Sequence, residues 1–338
     1  MAVHRRRTRK DLTGKIIDVH THVGLDVGLY ANESFPFAQS VEDLCYRLDA
    51  CGVDAAVTFP FGSTLYFDPY ALKRGRSRPA RRPISATPFE IENRMVCKQA
   101  FELWPRAARR ILPGLCIDPR REVAGQLRAA RQIEQQYPIY ALKIIPITLQ
   151  VGVKNLLSHG RPFLEFAAER NLPFLVHSTT AAGDRWSQVV DILDIAERQP
   201  HLRFCLAHLA GADRVHLNRA SELPNVWIDT SALKIQVQIV HEDSPLMARG
   251  KRRFPADYSD HKKVLRALLE AYPDRILWGT DSPAYSYMTD RRDSTGKFVR
   301  FRLRGTYEDE KAALDALPSS LRMRAANTNI LDFLFGRE

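Results

Sequence analysis

Short apolar runs alternate along this chain with longer segments in which apolar residues recur at helical spacing. A strand that is buried on both faces has a continuous apolar run, as in parallel sheets covered by helices. The eight predicted strands cover residues 16–22, 54–60, 110–118, 140–146, 172–177, 201–208, 225–230 and 275–281. The predicted helices cover residues 41–51, 89–110, 120–136, 161–170, 187–199, 260–272, 307–318 and 320–335.

This alternation predicts an α/β fold, and eight strands are the number that closes into a (β/α)₈ TIM barrel. An open, doubly wound sheet is the alternative. That fold usually carries a glycine-rich phosphate turn after its first strand, whereas this chain has His20-Thr21-His22 there. We find no internal repeat and no linker. We therefore predict one TIM-barrel domain over residues 14–338, with long strand-to-helix loops, preceded by a basic flexible tail over residues 1–13.

The composition is typical of a globular protein, since 45% of the 338 residues are hydrophobic and 26% are charged. No apolar run approaches the roughly 20 residues of a membrane-spanning helix, so we expect no membrane segment. The basic start of the chain is not followed by the apolar stretch of a signal peptide. The five cysteines include no Cys-x-x-Cys pair, which is typical of reduced thiols. We therefore expect a cytoplasmic protein.

Residues that can bind metal ions lie where several predicted strands end. His20 and His22 close the first strand, and side chains two residues apart on a strand share a face, roughly 7 Å apart. His177, His208 and Asp281 end the fifth, sixth and eighth strands. All barrel strands end on one face, so these residues would converge there. Imidazoles and carboxylates bind Zn²⁺ and similar divalent ions. The pattern therefore favours a metal site over a set of structural histidines.

These strand ends make the chain resemble the metal-dependent amidohydrolase superfamily. Within it, the chain is similar to the amidohydrolase-related group (amidohydrolase 2), which includes decarboxylases like aminocarboxymuconate semialdehyde decarboxylase. The resemblance spans residues 15–336, and residues 327–336 resemble the family's final helix. The matching segments are Ile17-Asp18-Val19-His20-Thr21-His22, Ala141-Leu142-Lys143-Ile144-Ile145-Pro146, Phe174-Leu175-Val176-His177-Ser178, Leu206-Ala207-His208-Leu209-Ala210-Gly211 and Leu277-Trp278-Gly279-Thr280-Asp281-Ser282-Pro283.

The resemblance implies that one divalent ion is held by His20, His22, His177 and Asp281. Zinc is the first choice for this ion, with manganese or iron as alternatives. His208 would stand beside the ion as an acid or base or would polarise the substrate, and Asp281 would also accept a proton from the bound water. A divalent ion lowers the pKa of bound water toward about 7, which makes hydroxide available at neutral pH.

Lys143, on the fourth strand, leaves the number of ions open. In binuclear members of the superfamily a carboxylated lysine bridges two ions at this place, whereas the related group has a similar lysine beside a single ion. We expect one ion, with Lys143 as a cation for a substrate carboxylate or a partner for a buried acid. Trp186 follows the fifth strand and is a candidate wall of the substrate pocket, with core packing as the alternative.

The net charge of +11 is concentrated in the long loops as well as in the tail. Three basic clusters fall within residues 73–82, 249–253 and 291–304. In a barrel these loops lie on the active-site face, where positive charge attracts an anionic substrate. A solvated surface or a contact between subunits of a homo-oligomer is the alternative.

The sequence therefore predicts a metal-dependent hydrolase. It would use a metal-activated water on an amide, lactone or ester bond of a small anionic substrate. The same ligands would suit a non-oxidative decarboxylase of an aromatic or unsaturated carboxylic acid. A protein that binds nucleic acid or another polyanion is the remaining alternative, but it leaves the ligands at the strand ends unexplained.

Overall fold

Eight parallel strands form the centre of the molecule in the computed structural model, which describes residues 4–292 and 298–337. They neighbour one another in chain order, and a two-residue strand pairs antiparallel with the end of the first. The strands of this sheet are β1 (Ile17–Leu25), β2 (Ala38–Gln39), β3 (Ala55–Pro60), β4 (Ile111–Cys116), β5 (Ala141–Ile144), β6 (Phe174–Val176), β7 (Phe204–Leu206), β8 (Val226–Asp229) and β9 (Ile276–Leu277).

Backbone hydrogen bonds between β1 and the β9 segment close the sheet. Val19 N donates to Trp278 O at 3.2 Å, and Asp281 N donates to His20 O at 2.8 Å. The middle strands are buried along their whole length, because side chains fill the barrel and helices cover its outside. The predicted (β/α)₈ barrel is confirmed.

Helices surround the barrel and turn their apolar faces toward it. In the helix at residues 189–198, for example, Ile192, Leu193, Ile195 and Ala196 are buried. The helices are α1 (Arg9–Leu12), α2 (Val27–Ala31), α3 (Val41–Ala50), α4 (Pro69–Lys73), α5 (Glu90–Lys98), α6 (Val123–Glu134), α7 (Pro146–Leu149), α8 (Arg161–Arg170), α9 (Val189–Arg198), α10 (Arg214–Glu222), α11 (Leu233–His241), α12 (His261–Ala271), α13 (Tyr307–Asp315), α14 (Ser319–Met323) and α15 (Asn329–Phe335).

The helix predicted over residues 89–110 is interrupted. After α5, a π-helical turn covers Gln99–Leu103 and a 3₁₀ helix covers Pro105–Arg109. Pro105 lacks a backbone N–H, and its ring disfavours a helical conformation for Trp104, so a regular helix cannot pass this point.

The sequence analysis did not predict α10 or α11. α11 carries the alternating sequence Leu-Lys-Ile-Gln-Val-Gln-Ile-Val, which has the period of a strand. A residue that is distant in sequence caps its first N–H groups: Leu233 N and Lys234 N each donate to the Glu310 carboxylate at 3.0 Å. This cap satisfies helix donors that would otherwise lack partners.

A β-hairpin stands where the sequence predicts a long loop after the eighth barrel strand. It consists of β10 (Tyr287–Arg292) and β11 (Phe298–Leu303), with Tyr287 opposite Leu303. Reciprocal backbone hydrogen bonds join Phe35 and Met288 at 2.8 and 2.9 Å, so the hairpin is attached to the loop that follows β1. The basic residue Lys297 of this cluster lies outside the described residues.

The basic segment at the start of the chain differs from the flexible tail that the sequence predicts. Thr8 and Asp11 form a capping box on α1, and Leu12 is fully buried. Arg9 pairs with Asp332 at 2.9 Å. The segment therefore packs on the barrel from residue 4 onward, with Leu12 as its apolar anchor and Arg9 paired with Asp332 of α15.

Two further expectations concern membrane helices and thiols. Among the described residues, none of the helices combines the length and the apolar character needed to cross a membrane. All five cysteines are free thiols, and four of them are buried.

Candidate metal centre

His20, His22 and Asp281 meet at the carboxyl end of the barrel. His20 and His22 lie two residues apart on β1, so both side chains point to the same side of that strand. Asp281 follows β9, the neighbour of β1 around the closed sheet. Their burial is nearly complete, with exposed fractions of 0%, 5% and 8%.

The donor atoms of these three side chains face one another. The two Nε2 atoms of His20 and His22 lie 3.1 Å apart. Asp281 Oδ1 lies 3.2 Å from the first and 3.3 Å from the second. One oxygen and two nitrogens within 4.8 Å of one another are the arrangement of a small metal site.

The other ring nitrogens of the two histidines determine which tautomers are present. His22 Nδ1 lies 2.9 Å from the carbonyl oxygen of Pro60, which can only accept, so this nitrogen carries the hydrogen. His20 Nδ1 lies 2.8 Å from Oδ2 of Asp229 and donates in the same way. Both Nε2 atoms therefore present lone pairs to the same point, beside a carboxylate. This donor set fits a divalent cation, and such orienting hydrogen bonds are usual for metal-binding histidines.

The protonation states favour the same role. Burial, together with the positive charge of Lys143, lowers the pKa of His20 to about 4. Burial alone would raise the pKa of Asp281, but the imidazoles of His20 and His22 outweigh it and hold that pKa well below its usual range. At neutral pH His20 is a neutral base and Asp281 is an anion.

Asp229, at the end of β8, holds His20 in place by a hydrogen bond and is a residue that the sequence analysis missed. Besides accepting from His20, its carboxylate accepts from the backbone N–H groups of His208 and Ser231 at 3.1 and 3.0 Å. The Ser231 hydroxyl donates to it at 2.5 Å. A signal was available, because Asp229 is the last residue but one of the predicted strand 225–230.

His177 and His208 form a second pair on the wall of the site. His208 Nδ1 lies 3.2 Å from the Ser231 carbonyl and 3.0 Å from the Ser231 hydroxyl. That hydroxyl gives its hydrogen to Asp229, so His208 Nδ1 must be the donor. His208 Nε2 then accepts from His177 Nδ1, 2.9 Å away. This leaves His177 Nε2 with a lone pair, although His177 is not among the three residues whose donor atoms already converge.

Lys143 is buried at the base of the site, with 1% of its surface exposed. Its Nζ contacts Nε2 of His20 and lies 5.7 Å from the centre of the Phe59 ring. Burial lowers the pKa of Lys143, and the negative charge of Asp281 opposes that effect. The sequence placed Lys143 on the fourth barrel strand, and it lies there, on β5.

A cavity of about 300 Å³ opens above these residues. Its polar floor includes His22, Lys143, His177, His208 and Asp281, and its walls are largely apolar. The wall residues include Leu29, Phe61, Ile145, Ile235, Ile239 and Leu303.

Trp186, the predicted pocket wall, does not line this cavity in the described part of the chain. It is half-buried, and the Arg185 guanidinium lies 5.3 Å from its ring centre. The structure therefore does not bring Trp186 together with the other predicted site residues.

The barrel, with histidines and an aspartate that converge at the carboxyl end of its strands, defines an enzyme of the amidohydrolase class. The sequence model of the family described as amidohydrolase matches residues 17–333. The chain therefore belongs to the amidohydrolase family, which is a family of metal-dependent enzymes. A comparison with curated proteins found no match.

Solved structures with the same fold include both hydrolases and decarboxylases. A probable 2-pyrone-4,6-dicarboxylic acid hydrolase from Acinetobacter baumannii is 14% identical, with a TM-score of 0.55 over 96% of this chain and 100% of that one. The 5-carboxyvanillate decarboxylase LigW from Sphingomonas paucimobilis is 13% identical, with a TM-score of 0.57 over 95% of this chain and 98% of that one. The IDCase of Metarhizium anisopliae is 13% identical, with a TM-score of 0.55 over 95% of this chain and 97% of that one. At these identities the likeness establishes the fold alone.

Proposed function

We propose that this protein is a metal-dependent hydrolase that cleaves an amide, lactone or ester bond of a small anionic substrate. One divalent ion, zinc in the first place, would be held by His20, His22, His177 and Asp281. The observation that carries the proposal is the convergence of two histidine lone pairs and one carboxylate oxygen at the floor of the cavity. We also propose a cytoplasmic location, where free thiols such as these five stay reduced.

His177 would complete the ligand set. Its Nδ1 donates to His208, so its Nε2 is a free base. Burial and the neighbouring His208 imidazole hold the pKa of His177 well below the usual value, which keeps the ring neutral and able to bind a cation. A movement of this side chain would add a third imidazole to the two histidines and Asp281, and imidazole nitrogens and carboxylate oxygens are the usual ligands of catalytic zinc.

When bound, the ion supplies Lewis acidity, which acidifies water and polarises a substrate oxygen. The side chains around it would hold and move protons. Asp281 faces the cavity as an anion, so its carboxylate can accept the proton of an attacking water. Asp281 would then give that proton to the leaving group, so that the proton taken from the water is the one delivered, and His208 would stand beside the ion with its Nδ1 held by the oxygens of Ser231.

Non-oxidative decarboxylation of an aromatic or unsaturated acid is the second candidate. It is favoured by the largely apolar walls of the cavity. A carboxylate that enters such walls loses hydration, and a reaction that spreads its charge and releases carbon dioxide is thereby promoted. His208 would then protonate the carbon from which carbon dioxide leaves.

Metal content and product mass test the proposal together. We expect the purified protein to bind one equivalent of zinc and to convert a panel of lactones, esters and amides with the gain of one water. Asp281→Asn and His177→Gln should lose activity, and His159→Gln, a change at an exposed histidine, should not. Loss of carbon dioxide from an acid in the panel would support the second candidate instead. Full activity after metal removal would overturn both.

A further inference from the structure

A second cavity, of about 190 Å³, adjoins the cavity above the metal centre. The two share the wall residues Asp26, Leu29, Ile147, Thr148 and Tyr287. The second cavity therefore lies next to the one in which a molecule would reach the metal centre. The feature that distinguishes the second cavity is the pair of arginines that line it, Arg76 and Arg291.

Arg291 reaches this cavity because of its position on the hairpin. Side chains alternate between the two faces of a strand, so Tyr287, Thr289 and Arg291 of β10 share one face. Tyr287 and Arg291 both line the second cavity. The Nε of Arg291 is buried, and it has no hydrogen-bond partner among residues 4–292 and 298–337. A buried guanidinium N–H without an acceptor is costly, so an acceptor is expected there, and the carboxylate of a bound molecule can supply it.

On the opposite face of the hairpin, two arginines form ion pairs within the protein. Asp290 points away from the cavity and pairs with Arg302 at 2.6 Å and with Arg300 at 3.2 Å. These two cations therefore share one carboxylate of the protein itself. Within the described part of the hairpin, Arg291 has no such carboxylate.

Arg76 follows α4 on the other side of the cavity. Arg78, two residues further, pairs with Asp68 at 2.7 Å. For Arg76 the described residues provide no carboxylate partner, although it lines the cavity. The carboxylate in the shared wall is Asp26, which accepts from Leu29 N at 2.8 Å and Ser63 N at 3.2 Å. Burial raises the pKa of Asp26, and its hydrogen bonds from Leu29 and Ser63 oppose that effect.

We propose that the second cavity is a binding subsite for a carboxylate of the substrate, held by Arg76 and Arg291. The planar guanidinium groups suit a carboxylate because they can donate two parallel N–H bonds to it. The substrate would then be a dicarboxylic acid, with one end at the metal centre and the second carboxylate between the arginines. This inference rests on the proposed function for the position of the reacting end only.

Binding measurements with simple acids test the subsite without knowledge of the substrate. The probes are straight-chain dicarboxylates from malonate to adipate, each paired with the monocarboxylate of the same length, titrated calorimetrically into zinc-loaded protein. We expect at least one dicarboxylate to bind about tenfold or more tightly than its paired monocarboxylate, as two charge-assisted hydrogen bonds would provide. Arg291→Gln and Arg76→Gln should each remove most of that ratio and leave monocarboxylate affinity unchanged.

Arg300→Gln is the matched control, because it removes an arginine from the same hairpin on the face that points away from the cavity. It should keep the wild-type ratio. If no dicarboxylate binds more tightly than its partner, or if Arg300→Gln lowers the ratio as much as Arg291→Gln does, the subsite is overturned. If the protein prefers dicarboxylates but catalyses neither hydrolysis nor decarboxylation, the subsite is supported and the proposed function is wrong. If the protein is an active enzyme without that preference, the proposed function is supported and the subsite is wrong.

Discussion

His20 and Asp229 form a fully buried pair in which Nδ1 of the imidazole lies 2.8 Å from Oδ2 of the carboxylate. Burial alone would raise the pKa of Asp229, but the His20 imidazole outweighs it and holds that pKa well below its usual range. The pair fixes the His20 ring so that its second nitrogen faces His22 and Asp281. Asp229 is thus a positioning residue for one proposed ligand and, through Ser231, for His208.

Asp229→Asn should weaken metal binding. Asparagine has one acceptor oxygen where aspartate has two, so either His20 or the donors of Ser231 and His208 lose their partner. We expect about a 10- to 100-fold loss of zinc affinity, as is typical when such an orienting partner is removed. Competition with a chelator measures this. Asp257→Asn, at an exposed aspartate paired with Lys263, is the control, and equal affinities in the two variants would contradict the assigned role.

His20 should make the metal-free protein less stable in acid. Its pKa is about 4 in the folded protein and 6.5 in the reference state, so between these pH values only the unfolded chain takes up the proton. The contribution of His20 to the free energy of unfolding is therefore fully present above about pH 6.5. As the pH falls toward 4, the free energy of unfolding decreases by roughly 3 kcal/mol in total. Urea unfolding in chelator, at steps from pH 7 to pH 4, compares wild type with His20→Asn. We expect the difference in unfolding free energy to change across this window, and parallel profiles would contradict the assignment.

Lys143→Met tests the number of ions. Methionine keeps the length of the side chain and removes the charge, so a single ion held by the histidines and Asp281 would remain. We expect one equivalent of zinc in both wild type and variant, measured by elemental analysis, with a loss of activity in the variant. Two equivalents in wild type and one in the variant would instead indicate that Lys143 is a carboxylated bridge.

Gly114→Ala should disturb the metal centre through the ring of Phe59. A Cβ at Gly114, on β4, would overlap the ring of Phe59. That ring packs against His20 and His22, with ring centres 6.4 and 6.3 Å apart. Inserting a methyl group into such a core costs about 1–3 kcal/mol, so we expect a lower urea midpoint and weaker zinc binding. At Gly183 an added Cβ meets nothing within 4 Å, and Gly183→Ala should leave both unchanged.

Leu12→Ala tests whether the first segment of the chain is part of the fold. Leu12 is 0% exposed and joins the main core. We expect a loss of about 2–5 kcal/mol in unfolding free energy, as for other buried leucines. Lys10→Ala, at an exposed position on the same short helix, should change it little. If both variants unfold like wild type, the segment behaves as the tail that the sequence predicts.

The barrel and the proposed ligands could be predicted because both depend on local patterns. Buried strands have continuous apolar runs, and His20, His22, His177, His208 and Asp281 all lie at the ends of the strands that the sequence predicts, although β1 continues to Leu25. The same rule would have found Asp229.

Other features depend on contacts between distant parts of the chain, so the sequence could not reveal them. α11 begins where it does because Glu310 caps it, and the alternation of its own residues suggests a strand. The hairpin depends on its pairing with Phe35 as well as on its own residues. Which arginines pair with a carboxylate is also invisible before folding, since Arg300 and Arg291 look alike in the sequence.

The closure of the barrel has a consequence for when the donor set is complete. His20 and His22 lie on the first barrel strand, whereas Asp281 follows the last one and meets them only when that strand docks on the first. Separation of the two strands would leave the two imidazoles without the carboxylate beside them. The three donor atoms are therefore brought together by the same backbone hydrogen bonds that close the sheet.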